Sequence, residues 1–180
     1  MSENSTPERV VLLDEQHQPA GTALKSEVHT EATPLHLAFS CHVLNPDGQV
    51  LVTRRALSKR TWPGVWSNSF CGHPGPDESF EDAIARRARQ ELGLEIRNLT
   101  VVVPEFQYRA TDATGVVENE FCPVFVAVTD TDPRPAESEV AEYAWTAPQD
   151  LIAAVESAPY AFSPWLGDQV REAALREALG

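Results

Sequence analysis

The stretch from Gly72 to Leu94 constrains this 180-residue chain more than any other, because it reads as one capped helix with charged groups at helical spacing. Asp77 or Ser79 can cap it, Ser79 and Asp82 stand like a capping box, and Gly93 suits the left-handed conformation that ends a helix. Phe80, Ile84 and Ala88 recur every four residues and make its buried stripe. Arg87 and Glu91 are also four apart, so both can address one phosphate–metal group from a neighbouring face. Glu78 follows Gly72 by six residues, Arg86 follows Glu78 by eight, and Glu91-Leu92-Gly93-Leu94 closes the run. At its head stands Cys71-Gly72-His73, a thiol beside an imidazole.

Apolar alternation predicts strands over residues 9–13, 35–44, 49–54, 101–108, 116–128 and 142–145. Turns are expected at 18–21, 45–48 and 112–115, where Pro, Gly, Asn and Asp cluster. Residues 129–139, rich in Asp, Pro and Glu, read as a surface loop, and 148–158 and 164–179 as helices. This order is an α/β class with a mixed β-sheet sandwiched between helices. With no internal repeat or linker, residues 9–180 are expected to form a single domain after a flexible N-terminus at 1–8.

A net charge of −13 argues against nucleic acid or an anionic membrane surface as partner, so an anionic small substrate needs a local basic pocket. Lys25, Arg54, Arg55, Lys59, Arg60, Arg86, Arg87 and Arg89 crowd the first half and can supply one, although any one of them alone reads as solvated surface charge. Cys41, Cys71 and Cys122 are an odd count that suits a reducing compartment, and no apolar run is long enough to span a membrane. A cytoplasmic protein is therefore expected.

Glu118 and Glu120 sit in an otherwise apolar strand whose period of two aims both at one face. Side by side on a half-buried strand they need a compensating cation or proton. Five histidines are available: His17 in a polar turn, where it reads as solvated, and His29, His36, His42 and His73. On a single strand His42 lies about 20 Å from His36, at about 3.3 Å per residue, too far to share an ion with it. Cys71 admits three readings from its neighbours: a small core hydrophobe, a metal thiolate or a catalytic thiol. Cys41 and Cys122, inside apolar strands, read as core; Tyr108 reads as a rim aromatic and the four tryptophans as core or rim.

The spacing from Gly72 to Leu94 resembles the Nudix box, with two of its acids replaced by Arg87 and Gln90, so that Glu78 and Glu91 remain of four. The blocks Leu35-His-Leu-Ala-Phe-Ser40, Leu51-Val-Thr-Arg-Arg-Ala-Leu-Ser-Lys59, Trp62-Pro-Gly-Val-Trp66, Tyr108-Arg-Ala-Thr-Asp112, Val117-Glu-Asn-Glu120 and Ala161-Phe-Ser-Pro-Trp165 are similar to those of type 1 isopentenyl-diphosphate isomerases. The resemblance runs from about Val10 to Trp165 and implies a Nudix-like sandwich.

It further implies that Cys71 and Glu120 transfer protons, with Tyr108 beside Glu120. His29, His36, His73, Glu118 and Glu120 correspond to ligands of a divalent ion (Mn2+, Mg2+ or Zn2+), while Glu91 would meet a Mg2+ carried by the substrate diphosphate. Lys25, Arg55, Lys59 and Arg87 correspond to diphosphate contacts, and Trp165 would face the five-carbon tail. The implied reaction interconverts isopentenyl and dimethylallyl diphosphate. The alternatives are a Nudix-type hydrolase of another organic diphosphate, kept open by Glu78 and Glu91, and a non-catalytic diphosphate-binding module.

Overall fold

The computed structural model describes residues 7–180. The expectation of a flexible N-terminus therefore falls largely on residues 1–6, outside the described residues, while Glu8 is tied to Lys25 by a 2.6 Å ion pair. In chain order the strands are β1 (Arg9–Leu13), β2 (Pro19–Leu24), β3 (His36–Leu37), β4 (Phe39–Leu44), β5 (Val50–Arg55) and β6 (Trp66–Ser67). They continue as β7 (Phe70–Gly72), β8 (Arg97–Val103), β9 (Gln107–Thr111), β10 (Val117–Phe121), β11 (Val124–Val128) and β12 (Val140–Thr146). The helices are α1 (Lys25–Val28), α2 (Phe80–Leu92), α3 (Pro148–Ser157), α4 (Pro164–Gln169) and α5 (Ala173–Leu179).

The strands form two mixed sheets rather than one. The first runs β2-β1-β3-β10-β9; the second runs β12-β5-β4-β11-β8, with β6 beside β5 and β7 beside β4. Two expected strands are cut in half by this division. Residues 35–44 break at Ala38, and 116–128 break at Cys122-Pro123, where proline has no N–H to give a ladder. At both breaks the chain passes from the first sheet to the second, with β3 parallel to β10 and β4 parallel to β11. Ala38 donates to Phe121 O at 2.9 Å and Ser40 to Pro123 O at 3.0 Å, so the two crossings are bonded to each other.

Smaller differences are also local. The first turn lies earlier than expected, closed by hydrogen bonds between Asp14 and Gln18, and residues 19–21 already belong to β2. Residues 104–106 separate β8 from β9. The C-terminal helix is two helices, divided after Gln169 where Arg171 N–H turns back to Asp168 O.

The second sheet is covered on both faces, which explains the unbroken apolar run of β11. Phe39, Cys41, Val43, Leu51 and Phe125 pack with Ile84, Ala88 and Leu92 of α2. On the other face Val50, Val52, Val124 and Val126 pack with Leu151, Val155, Leu166, Leu175 and Leu179 of α3, α4 and α5. Ser79 caps α2 by accepting from Asp82 N–H, and Gly93 ends it at φ 61°. Phe80 is only half-buried, so the stripe narrows at its N-terminal end. No described helix is long and apolar enough to cross a membrane.

Candidate active site

Strand register brings the central residues together. Glu120 of β10 lies opposite His36 of β3 on one side and opposite Tyr108 of β9 on the other. Tyr108 Oη donates to Glu120 Oε2 at 2.8 Å. Glu118, two residues back on the same face, accepts from Thr61 Oγ1 at 2.8 Å, and its other oxygen lies 2.9 Å from His29 Nε2. On the second sheet, β7 places Cys71 opposite Ser40 of β4, and His73 follows with Nε2 at 2.9 Å from Glu120 Oε1.

Ligand atoms of His29, His36, His73 and Glu120 all lie within 4.8 Å of one another. His29 Nε2, His36 Nε2 and Glu118 Oε2 are buried without a hydrogen-bond partner, an expensive arrangement unless a cation is shared among them. His36 donates Nδ1–H to Pro34 O at 2.9 Å, which turns its Nε2 toward Glu120 Oε1 at 3.5 Å. The donor set of imidazoles and carboxylates fits a divalent ion. Although burial alone would push the Glu120 carboxyl up, the imidazoles of His36 and His73 beside it hold it well below the usual carboxylate range. Burial pushes the Tyr108 hydroxyl well above its ordinary value, with Glu120 adding to the effect, so this phenol remains a donor.

These groups open on a cavity of about 230 Å³ that is also lined by Lys25, Arg55, Lys59, Arg87, Glu91 and Trp165. His36 lies behind its wall, fully buried. Arg87 is ion-paired with Glu91 one turn along α2, and it can lie so close to β7 because residue 72 is glycine. A Cβ there would stand 2.8 Å from Phe39 Cζ and 2.9 Å from Arg87 Cγ. Burial pushes the Glu91 carboxyl up despite Arg87, with Glu139 reinforcing the rise. Arg55 is aimed by the carbonyls of Thr61 and Trp62, its guanidinium carbon 5.3 Å from the centre of the Trp165 ring. Trp165 is buried, donates Nε1–H to Ser67 Oγ and Asn68 Oδ1 at 3.0 Å, and packs on Tyr108 at 5.6 Å between ring centres.

Cys71 is half-buried at the cavity wall, with Ser40 Oγ at 3.2 Å and Asn68 Oδ1 at 3.3 Å from its sulfur. Burial pushes its thiol up to about 12, and the contacts with Ser40 and Asn68 offset only part of that rise.

Other residues fall elsewhere. Glu78 does not line the cavity: it takes Arg86 in a two-pronged pair at 2.8 and 2.9 Å and accepts from Gly75 N–H, while Arg86 reaches His73 O at 3.3 Å. His42 bonds Gln169, away from the imidazole cluster. His17, expected to be solvated, is half-buried against Phe121, with 4.3 Å between ring centres, and bonds Gln107.

Glu139 was not expected. It ends the 129–139 loop, where an acidic residue among so many carried no signal, yet it pairs with Lys59 and stands 3.6 Å from Arg87. Ser40, Thr61 and Gln169 were likewise invisible, because their partners are remote in sequence, and Asn68 because it joins nearby Cys71 to remote Cys41 and Trp165.

A glycine-headed helix beside a sheet, with its cationic and acidic side chains at a buried cavity, is the architecture of one class, and the chain belongs to the NUDIX domain family, whose profile matches residues 34–166. Solved structures agree on the fold: DR0079 from Deinococcus radiodurans superposes with a TM-score of 0.71 over 91% of this chain and 98% of that one, at 23% identity. The MutT protein of Methanosarcina mazei Go1 gives 0.61 over 81% and 96%, at 21% identity. Among curated relatives, the isopentenyl-diphosphate Delta-isomerase of Kocuria rhizophila is 97% identical over 180 residues, the whole of both chains. That of Clavibacter michiganensis subsp. michiganensis is 62% identical over 161 residues, 88% of this chain and 82% of the other. Within the NUDIX family the chain is thus a member of the isopentenyl-diphosphate Delta-isomerases.

Proposed function

We propose that this chain, a single domain over residues 9–180 acting in the cytoplasm, interconverts isopentenyl diphosphate and dimethylallyl diphosphate by moving one proton on and another off the five-carbon unit. The observation that carries the reading is that Cys71 and Glu120, held by different sheets, line one cavity together with five basic side chains, Lys25, Arg55, Lys59, Arg60 and Arg87. A proton is added at the terminal methylene and another removed from the carbon next to the diphosphate-bearing one. Two exchangeable groups on opposite sides of the alkene suffice, and because the reaction is reversible each serves as acid in one direction and base in the other.

Lys25, Arg55, Lys59 and Arg87 hold the diphosphate, arginine by its planar fork and lysine as a point charge. Glu91 would hold a magnesium ion brought with the substrate diphosphate, which would supply positive charge there. His29, His36, His73, Glu118 and Glu120 would hold a second divalent ion, manganese, magnesium or zinc, which when bound supplies positive charge to the acidic pair and fixes Glu120. Tyr108 donates to the remaining Glu120 oxygen. Trp165 presents an indole to the tertiary cation that protonation creates, a contact worth about 2 kcal/mol or more when desolvated. Holding the diphosphate seals the tail from water that would otherwise trap that cation.

A hydrolase needs carboxylates around the diphosphate. Here Arg87 and Gln90 replace two of them and Glu78 is occupied by Arg86, which supports diphosphate retention. Purified protein given isopentenyl diphosphate and magnesium should yield dimethylallyl diphosphate by NMR without stoichiometric phosphate release. Release of phosphate or pyrophosphate with no isomer would overturn the reading.

A further inference from the structure

The Cys71 sulfur is the end of a buried chain of hydrogen bonds that the reaction as described does not use. Asn68 fixes one side of it. Its Nδ2 donates to Cys41 O at 3.1 Å and Phe70 O at 2.8 Å, so its Oδ1 faces the thiol and accepts the S–H. Gln169 fixes the other side. Its Oε1 meets His42 Nε2 at 2.9 Å and its Nε2 donates to Ser40 Oγ at 2.8 Å.

The opposite orientation of that amide would require His42 to carry its proton on Nδ1, which is buried with no partner. A buried orphan N–H is costlier and rarer than a buried orphan acceptor, so the proton stands on Nε2. Burial pushes the His42 imidazole down to about 4, so it carries that single proton at neutral pH. Ser40, itself fully buried, accepts from Gln169 and, at 3.6 Å, from the Cys122 thiol. Both lone pairs of its oxygen are then engaged, and its own proton has one acceptor, Cys71 Sγ at 3.2 Å. From His42 through Gln169, Ser40 and Cys71 to Asn68 every bond runs in the same sense, an order in which each bond polarises the next.

We infer that Ser40, oriented by Gln169, is a positioning residue for the Cys71 sulfur, donating its hydroxyl proton to support the negative charge the sulfur carries whenever its own proton resides on the substrate. The inference rests on the reading of Cys71 as a proton-transfer group and holds for either direction of the reaction. Asn68 can only accept, so it orients the neutral thiol and gives nothing to the anion; Ser40 does the reverse.

Ser40→Ala should lower kcat about ten- to a hundredfold, the effect of one hydrogen bond to a charged atom, with the KM for isopentenyl diphosphate and the bound metal unchanged. The Raman S–H stretching band of Cys71, identified as the band that Cys71→Ala removes, should shift in Ser40→Ala. Gln169→Met leaves the hydroxyl in place but free to turn, and serves if Ser40→Ala does not fold; it should lower kcat less and move the same band. A wild-type kcat in Ser40→Ala, an unmoved Cys71 band, or a loss expressed in KM alone would overturn the inference. Should Cys71→Ala itself turn over at the wild-type rate, the reading of Cys71 fails. An inactive Cys71→Ala beside a fully active Ser40→Ala sinks only the role of Ser40.

Discussion

Glu118 and Glu120 keep only 7% and 4% of their surface exposed, so two carboxylates two residues apart have left water together. Such a placement costs several kcal/mol per ion unless positive charge meets it. Three imidazoles converge on the pair, and each has a buried nitrogen without a hydrogen-bond partner. His36→Ala and His73→Ala should therefore each lower tightly bound divalent metal, read by elemental analysis, and lower activity with it, whereas His17→Ala should retain the metal. Loss in all three would point to unfolding or to the wrong ligand set. The acidic pair was legible in the sequence because alternation on a strand is a local signal. The convergence of His29, His36 and His73 was not: their spacing matches no local metal motif, and only family resemblance linked them. Gln169 shows the limit from the other side, since a single amide in an apolar helix does not reveal that its partners lie more than a hundred residues away.

At the level of elements, α2 could be read to within two residues at its start, where Asp77 and Ser79 were both candidates and Ser79 is the cap, and to the residue at Gly93, because capping and termination depend on neighbours in the chain. The divided strands could not. Alternation continues through Ala38 and through Cys122-Pro123, and what splits them is which sheet each half joins, a tertiary choice. The closeness of α2 to β7 is equally tertiary, and Gly72 sets it. Gly72→Ala forces a methyl into Phe39 and the stem of Arg87, both held in place by packing. The variant should lose about 1–3 kcal/mol of stability in urea unfolding. Its KM for isopentenyl diphosphate should rise as Arg87 is pushed aside. Unchanged stability and KM together would mean that Phe39 can rotate away without cost.

Across the whole molecule, pH reaches stability through a residue remote from the substrate. His42 is fully buried and neutral, with a value near 4 in the fold against an ordinary 6.5. The unfolded chain binds a proton that the folded chain refuses between these values, so the stabilisation present above 6.5 is lost as pH falls towards 4. The difference amounts to roughly 3 kcal/mol. The stability gap between wild type and His42→Gln, followed by urea unfolding, should therefore narrow across that interval, whereas a gap independent of pH would exclude the titration. Glu120, also lowered in the fold, contributes to acid sensitivity in both proteins and cancels in the comparison.

The paired crossings at Ala38 and Pro123 carry a consequence for how such a fold can change over time. Cys71 and Glu120 stand on separate sheets, and these crossings carry the chain between the sheets side by side, bonded to each other. Their spacing therefore behaves like the gauge of a railway, kept by a few short sleepers. Loops, helix surfaces and outer strands can therefore change without altering the width of the track between Cys71 and Glu120.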